Sequence, residues 1–411
     1  MDSVNADGTP APWLAVVGLG DDGPAGLAPR ARSLVEEAGT VFGGERHLGL
    51  LPEQSGQERI PWPSPLTEAL PWIEARRGRP VCVLASGDPF WYGIGATLAR
   101  HLPAAEMEVV PAPSAFSLAA ARLGWPLQET RCLSLHGRAL ERIHPWLQEG
   151  ARLLVLSWDG TTPAALAQRL TERGFGGSRL TVLEHLGGTA EDRRTTRAAD
   201  WSEPETAALN TVAVECRAEP GARIIPRSPG RPESAFHHDG NITKREVRAV
   251  ALARLAPESG ERLWDLGAGS GAVGVEWMLT DPANHAVAVE HRTDRLENIA
   301  ANAREFGVPD LECIQGRAPD ALAGLPDPDA IFIGGGLTSP GLLERCHAAL
   351  PTGGRLVATS VTVEGDAALA AAADRYGGEL SRLAVERAEP LGGFTGWAPL
   401  RPVTLWSLVA E

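Results

Sequence analysis

Residues 264–274 read WDLGAGSGAVG, and what this stretch becomes decides the fold. The apolar run entering it, RLWDLG at 262–267, predicts a buried strand, and the apolar residues leaving it predict a helix. Between them Gly267, Gly269 and Gly271 form a G-x-G-x-G turn, where the lack of side chains brings backbone against a ligand. Asp265 ends the strand, able to order the turn or to receive an ammonium group. Nineteen residues past Gly271 a second strand, HAVAVE at 285–290, ends in Glu290, where an acid accepts the hydroxyls of an adenosine ribose in Rossmann-like sheets. Strand, turn, helix, strand and acid in this order predict an open α/β sheet with a nucleoside-bearing ligand at its edge.

The alternation extends in both directions. Downstream, AIFIGG (330–335) and GRLVATS (354–360) are strand-like, and FIGGG at 332–336 ends its strand in three glycines that leave room for a large flat substrate. SRLAVERA (381–388) and RPVTLWSL (401–408), joined by a Gly-rich connection, predict a terminal antiparallel pair. Upstream, a helix is predicted over 243–256. Before it, Pro220, Pro226, Pro229 and Pro232 crowd a stretch that continues neither a helix nor a central strand. The joint therefore falls near residue 222, giving domains of 1–222 and 223–411. In the first half WLAVVGLG (13–20), VCVLAS (81–86), RCLSL (131–135), RLLVLS (152–157), RLTVLEHL (179–186) and NTVAVEC (210–216) alternate with helical segments such as 162–173. This predicts a mainly parallel sheet with helical crossovers.

A length of 411 suggests two or three domains. No apolar run approaches the roughly 18 residues of a membrane span, and the acidic opening MDSVNADGTPAPW lacks the basic segment of a secretory signal, so a cytoplasmic location is expected. Five cysteines without a CxxC spacing argue against a disulfide framework and against zinc. The adjacent His237 and His238 point apart along the chain, and no metal is expected. A net charge of −14, with Lys244 as the single lysine beside 37 arginines, argues against nucleic acid as a partner.

A second glycine loop, Gly18-Leu-Gly20-Asp-Asp-Gly23, follows the first strand. The ordinary reading of G-x-G-x-x-G is a dinucleotide pyrophosphate. Asp21 and Asp22 oppose it, since one like-charge pair at about 4 Å costs on the order of 4 kcal/mol at an intermediate dielectric. S-adenosylmethionine, with a sulfonium, an ammonium and one carboxylate, suits an acidic loop, and a nicotinamide dehydrogenase ranks last.

The run LWDLGAGSGAVGVEW, continued by AVAVEHRTDRLENIAANAREFGV, resembles class I S-adenosylmethionine-dependent methyltransferases. With GRPESAFHHDGNITKREVRA before it and GRAPDALAGLPDPDAIFIGGG after it, the second half is similar to the decarboxylating precorrin methyltransferases. The first half, through VVGLGDDGPAGL, VFGGERHL, LASGDPFWYGIGATL, PAPSAFSLAAARLGW and LSLHGR, resembles the tetrapyrrole methylase family. The resemblance implies an N-terminal tetrapyrrole methylase fold of two α/β lobes and a C-terminal Rossmann-like class I methyltransferase fold. It implies S-adenosyl-L-methionine at two sites per chain. The implied substrate is a precorrin, methylated at C5 and C15 and decarboxylated on its C12 acetate, from precorrin-6B to precorrin-8 in cobalamin biosynthesis. A homo-oligomer, dimer or tetramer, is implied as well. The donor-binding residues carried over are Gly18, Gly20, Gly87, Asp88, Ser114 and Ala115, then Thr243, Asp265, Gly267, Ala268, Gly269, Gly271, Glu290, Gly316, Ala318 and Gly334. Two departures stand out: Asp21 and Asp22 follow Gly20 where the family carries G-x-G-P-G-D, and Arg317 stands where related enzymes often place an acid near the adenine.

Methyl transfer to carbon asks the protein for alignment more than for a nucleophile. The candidate catalytic residues are Asp88, Glu233 and Lys244. Asp88 ends a strand, where it contacts donor or macrocycle, or caps the next helix. Glu233, with His237 and His238, is a candidate donor of the proton needed after loss of carbon dioxide. Trp91 and Tyr92 line a flat pocket or belong to the core. Lys244, Arg245 and Arg248 place three cations at a helix start, and Lys244 either meets a substrate acetate or propionate or is simply solvated. The alternative function is a two-domain methyltransferase acting on another substrate.

Overall fold

The computed structural model describes residues 12–411; most of the acidic N-terminal stretch behind the expectation about secretion, residues 1–11, lies outside them. The chain forms one unit of the residues up to Arg138 with Gln148–Arg223, and a second of Ala139–Leu147 with Ile224–Glu411, so no single cut separates the two.

In the first unit β1 (Leu14–Leu19) is buried at every residue, the mark of a parallel strand covered on both faces. It sits in an all-parallel sheet with β2 (Thr40–Gly43), β3 (Glu58–Pro61), β4 (Val81–Ser86) and β5 (Met107–Val110), ordered β3-β2-β4-β1-β5. The register Leu19↔Ser86 makes the loops after β1 and β4 leave at the same edge. The second sheet holds β6 (Thr130–Ser134), β7 (Arg152–Leu156), β8 (Arg179–Glu184), β9 (Asp192–Arg197) and β10 (Asn210–Glu215), ordered β6-β7-β10-β8-β9. Here only β6 and β7 are parallel, and the expectation of a mainly parallel sheet fails. The reason is connection length: no helix separates β8 from β9, so the chain turns straight back, and β10 slots antiparallel between β7 and β8.

The second unit carries β11 (Arg262–Leu266), β12 (His285–Glu290), β13 (Glu312–Gln315), β14 (Ala330–Ile333), β15 (Arg355–Ser360) and β16 (Glu379–Leu383). Next come β17 (Glu386–Leu391), β18 (Phe394–Pro399) and β19 (Val403–Val409). Sheet order is β13-β12-β11-β14-β15-β19-β16, parallel from β13 to β15, with β19 antiparallel to both neighbours. Strand order reverses between β11 and β14, the switch point where open α/β sheets bind ligands. Apolar clusters cover both faces, one around Trp277 and one around Trp264 and Trp406. The terminal pair forms as β16 with β19. The Gly-rich connection is itself a hairpin, β17 with β18, so residues 381–388 are split between two strands. Among the described residues no helix is long and apolar enough to cross a membrane.

Candidate functional site

The glycine turn after β11 is stitched to both neighbouring strands. Gly267 N–H donates to Val289 O at 2.9 Å, and Gly334 N–H donates to Leu266 O at 2.9 Å. Gly267 has φ +66°, and a Cβ there would lie 2.7–2.8 Å from backbone atoms of Gly335. Gly271, at φ +71°, caps the helix Ala272–Thr280. A Cβ on Gly269 would make only ordinary contacts, with Asn241 O nearest at 3.5 Å.

These elements bound a cleft of about 750 Å³. Thr243, Lys244, Gly267, Ala268, Gly269, Glu290, Gly316, Ala318 and Gly334 all line it. Glu290 is 2% exposed, and its Oε2 accepts from Gly269 N–H at 3.0 Å while Oε1 accepts from the amides of His291 and Arg292 at 2.8 and 3.1 Å. The acid is thus locked to the turn it faces. Oε1 is taken by those amides and by His291 Nδ1 at 2.9 Å, whereas Oε2, with one amide on its two acceptor directions, keeps one for a ligand hydroxyl.

Gly271 and Asp265 lie behind the cleft wall. Asp265 is buried and accepts from Gly274 N–H at 3.0 Å, so of its two candidate roles it takes the ordering of the turn. Burial raises its carboxyl to about 7 against that hydrogen bond, with help from the charge of Glu290. The folded unit therefore holds a proton that the unfolded chain, titrating near 3.8, has released. This contribution is fully present below pH 3.8 and is lost as pH rises through 7. Asp265→Asn keeps the Gly274 bond without the charge. Scanning calorimetry between pH 4 and pH 8 should show that it flattens the fall in melting temperature of this unit; an unchanged slope would show that Asp265 titrates normally.

In the first unit three loops meet at one sheet edge. A Cβ on Gly18 would lie 2.0 Å from Gly87 O and 2.4 Å from Ala112 N, and one on Gly87 would lie 2.9 Å from Ser114 Cα. Ser114 caps the helix Ala115–Leu123 by accepting from Ser117 N–H at 3.1 Å, which places Ala115 in its first turn. Gly20 O accepts from Gly23 N–H, closing the first loop. Asp88 Oδ1 accepts from Phe90 N–H at 2.8 Å, capping a turn; the next helix begins only at Ile94, with Gly93 as its cap. Trp91 and Tyr92 are 36% and 44% exposed, so the core role fails for both. Tyr92 is held at φ +60° with Arg138 over its ring at 4.9 Å.

Several candidates are displaced by distant partners. Glu233 does not line the cleft: Arg387 bonds it at 2.9 Å and Arg245 N–H at 3.1 Å. Burial acts to raise its carboxyl, but these bonds prevail and hold it at about 2, which removes it as a proton donor near neutral pH. His237 and His238 also lie off the cleft, His237 through backbone bonds to Asn302 and His238 by accepting from Gly240 N–H. Arg248 is fully buried against Glu276 at 3.0 Å, so the helix start offers fewer free cations than its sequence suggests. Asp21, expected to attract an ammonium, is bound by Arg46 at 2.8 Å and His185 at 3.0 Å. Conversely, Val361, Leu400 and Arg401 line the cleft without any local signal, because β19 reaches the end of β15 only in the folded sheet, and Asn241 joins them beside Thr243. Among the described residues no three His, Cys, Asp or Glu side chains gather as metal ligands.

Comparison with known proteins follows the same division. Residues 14–201 match the tetrapyrrole (corrin/porphyrin) methylases and residues 234–410 the precorrin methyltransferase domain. A precorrin-6Y C(5,15)-methyltransferase [decarboxylating] of a Sinorhizobium species is 52% identical over 397 residues, covering 97% of this chain and 96% of the relative. The protein of that name in Mycobacterium tuberculosis (strain CDC 1551 / Oshkosh) is 46% identical over 400 residues, covering 96% and 99%. The crystal structure of the C-terminal domain of precorrin-6Y C5,15-methyltransferase from Rhodobacter capsulatus is similar at 49% identity, with a TM-score of 0.43, covering 44% of this chain and 98% of that one. Both halves are matched by family models, and the near full-length similarity accompanies a glycine turn bonded to Glu290. The chain belongs to the decarboxylating precorrin-6Y C5,15-methyltransferase family, whose members are S-adenosylmethionine-dependent methyltransferases.

Proposed function

We propose that the chain binds two molecules of S-adenosylmethionine, methylates a precorrin at C5 and C15, and decarboxylates its C12 acetate, converting precorrin-6B to precorrin-8. The observation that carries this reading is Glu290, fixed by Gly269 N–H at the wall of a cleft floored by glycine. In that cleft Glu290 receives a ribose hydroxyl, backbone at Gly316 and Ala318 borders the adenine, and the methionine end lies over Gly267–Gly269. In the first unit the convergence of Gly18, Gly87 and Ser114 supports the second site, with Asp88 beside it. The two sites are proposed to belong to domains of residues 1–222 and 223–411, with Ala139–Leu147 grouped with the second.

The bound donor supplies an electrophilic methyl group. At each methylated carbon, the macrocycle's π electrons form the new C–CH₃ bond, the sulfur keeps the electron pair of the bond that breaks, and the meso proton leaves. In the decarboxylation the bond to the carboxyl carbon breaks, its electron pair enters the conjugated ring, carbon dioxide leaves, and a proton takes its place. The protein's share is alignment, worth roughly 7–11 kcal/mol. Gly334 to Gly336 keep the wall beside β14 free of side chains for the flat substrate.

Two copies or four are proposed to associate, supported by the hairpin residues Leu391, Phe394 and Trp397 at 67%, 84% and 73% exposure. A cytoplasmic location is proposed as well, and the absence of a nucleic-acid partner accords with the acid excess. Calorimetric titration of the whole chain with S-adenosylhomocysteine should give two sites per chain. A single site would mean that one glycine loop has another purpose.

A further inference from the structure

Two cations on the cleft wall stand apart from the ion pairs around them. Lys244 and Arg401 make no hydrogen bond or ion pair through their side chains among the described residues, although both line the cleft. Nearby, Arg295 pairs with Asp239 at 2.9 Å, and the His291 ring lies against Glu290 at 2.9 Å. Arg317 is also unpaired among the described residues, but it follows β13 on the adenine side. Lys244 and Arg401 belong to the opposite side. The helix Arg245–Leu255 packs on β14, β15 and β19, and Arg401 precedes β19 at the end where Ser360 pairs with Thr404. The same side carries apolar Val361, 52% exposed, and Leu400. Cations fringing an apolar wall fit a flat apolar ring edged with acids.

Lys244 also stands where a cation is unfavourable. It is the N-cap residue of its helix, a position that prefers Ser, Thr, Asp or Asn, and its ammonium adds to the positive end of the helix dipole. Among the described residues no acid pairs with it to offset this, whereas an incoming carboxylate would.

We infer that Lys244 and Arg401 clamp the peripheral carboxylates that remain on the macrocycle, and not the acetate that leaves. The inference rests on the functional reading above. A cation held against the departing carboxylate stabilises it in the ground state, while neutral carbon dioxide gains nothing from the contact, so the barrier would rise. Cations on the retained acids instead orient the ring without opposing the reaction.

The test compares the full-length protein with Lys244→Gln, Arg401→Gln and the double variant, on enzymatically prepared precorrin-6B. Carbon dioxide release and methyl transfer are measured together with S-adenosylhomocysteine affinity. Each single change should raise KM for the tetrapyrrole about tenfold, with kcat within about twofold and S-adenosylhomocysteine affinity unchanged. Lys244→Arg, which keeps the charge, should recover most of the loss. An unchanged KM in the double variant overturns the clamp and leaves the functional reading standing. A lower kcat at constant KM overturns it too, placing the pair at the reacting atoms. Weakened S-adenosylhomocysteine binding also overturns the clamp, by assigning the cations to the donor. No turnover by the unaltered protein overturns the reading beneath it.

Discussion

Gly267→Ala should remove the proposed donor site of the second unit, so that S-adenosylhomocysteine titrates one site per chain instead of the two proposed. Gly267 sits at φ +66°, where a residue with a Cβ is disfavoured by about 1–2 kcal/mol. The added methyl would also lie 2.7 Å from Cα and N and 2.8 Å from O of Gly335. These are backbone atoms following β14, and Gly335 N–H is itself bonded to Leu266 O, so no side chain can swing aside. The turn must move, and Gly269 N–H moves with it from Glu290 Oε2. A misplacement approaching 1 Å costs on the order of a hundredfold, enough to take the site below detection in a micromolar titration. The first unit's site should titrate normally and serves as the internal control. Two sites of unaltered affinity in the variant would show that this turn does not hold the donor.

Glu276→Gln should destabilise the second unit by about 3–5 kcal/mol, the usual cost of breaking a buried ion pair from one side. Glu276 and Arg248 are fully buried and Arg231 is 3% exposed, with Arg248 Nε at 3.0 Å and Arg231 Nη1 at 3.5 Å from Glu276 Oε1. The same carboxylate accepts from Gly230 N–H at 2.8 Å and Arg231 N–H at 2.9 Å. Burial already pulls the Arg231 pKa down and Glu276 opposes it, so neutralising the acid leaves two guanidiniums against each other. At about 2–4 °C per kcal/mol for a unit of this size, its calorimetric transition should drop by roughly 10 °C, while that of the first unit stays in place. A shift of under a degree or two would mean that water relieves the cluster. The cluster also bears on function, because Arg248 donates to Thr243 O and Arg231 O and so holds the residue before Lys244 at the cleft wall.

How far the site is legible in the sequence follows from the range of each interaction. The turn 267–271 and Glu290 are related by one strand, one helix and the next strand, and that spacing alone puts them side by side, as Gly269 N–H and Glu290 Oε2 confirm. The second sheet of the first unit departs from its expected topology because apolar alternation marks strands without their direction. A short connection after β8 reverses the chain where a helical crossover is expected. Glu233, Asp21 and Arg248 depart from their expected roles for a different reason. Their charges are visible in the sequence, but Arg387, Arg46 and Glu276, which neutralise or bury them, are not neighbours in it.

The sequence by itself determined that this chain has two glycine loops, each following a strand, an acid at the end of the strand after the second loop, no stretch apolar enough for a membrane helix, and the family to which both halves belong. These are properties of composition and of short spacings, which the backbone repeats of strand and helix convert directly into position. Only the tertiary structure decided which charges are free to meet a ligand. Lys244 and Arg401 are 157 residues apart and reach one cleft because β19 runs antiparallel beside β15, whereas Arg248, one helical turn from Lys244, is sealed beneath it. Whether a charge binds substrate or another side chain depends on what the fold packs against it, and that is set by long-range contacts that no local pattern encodes.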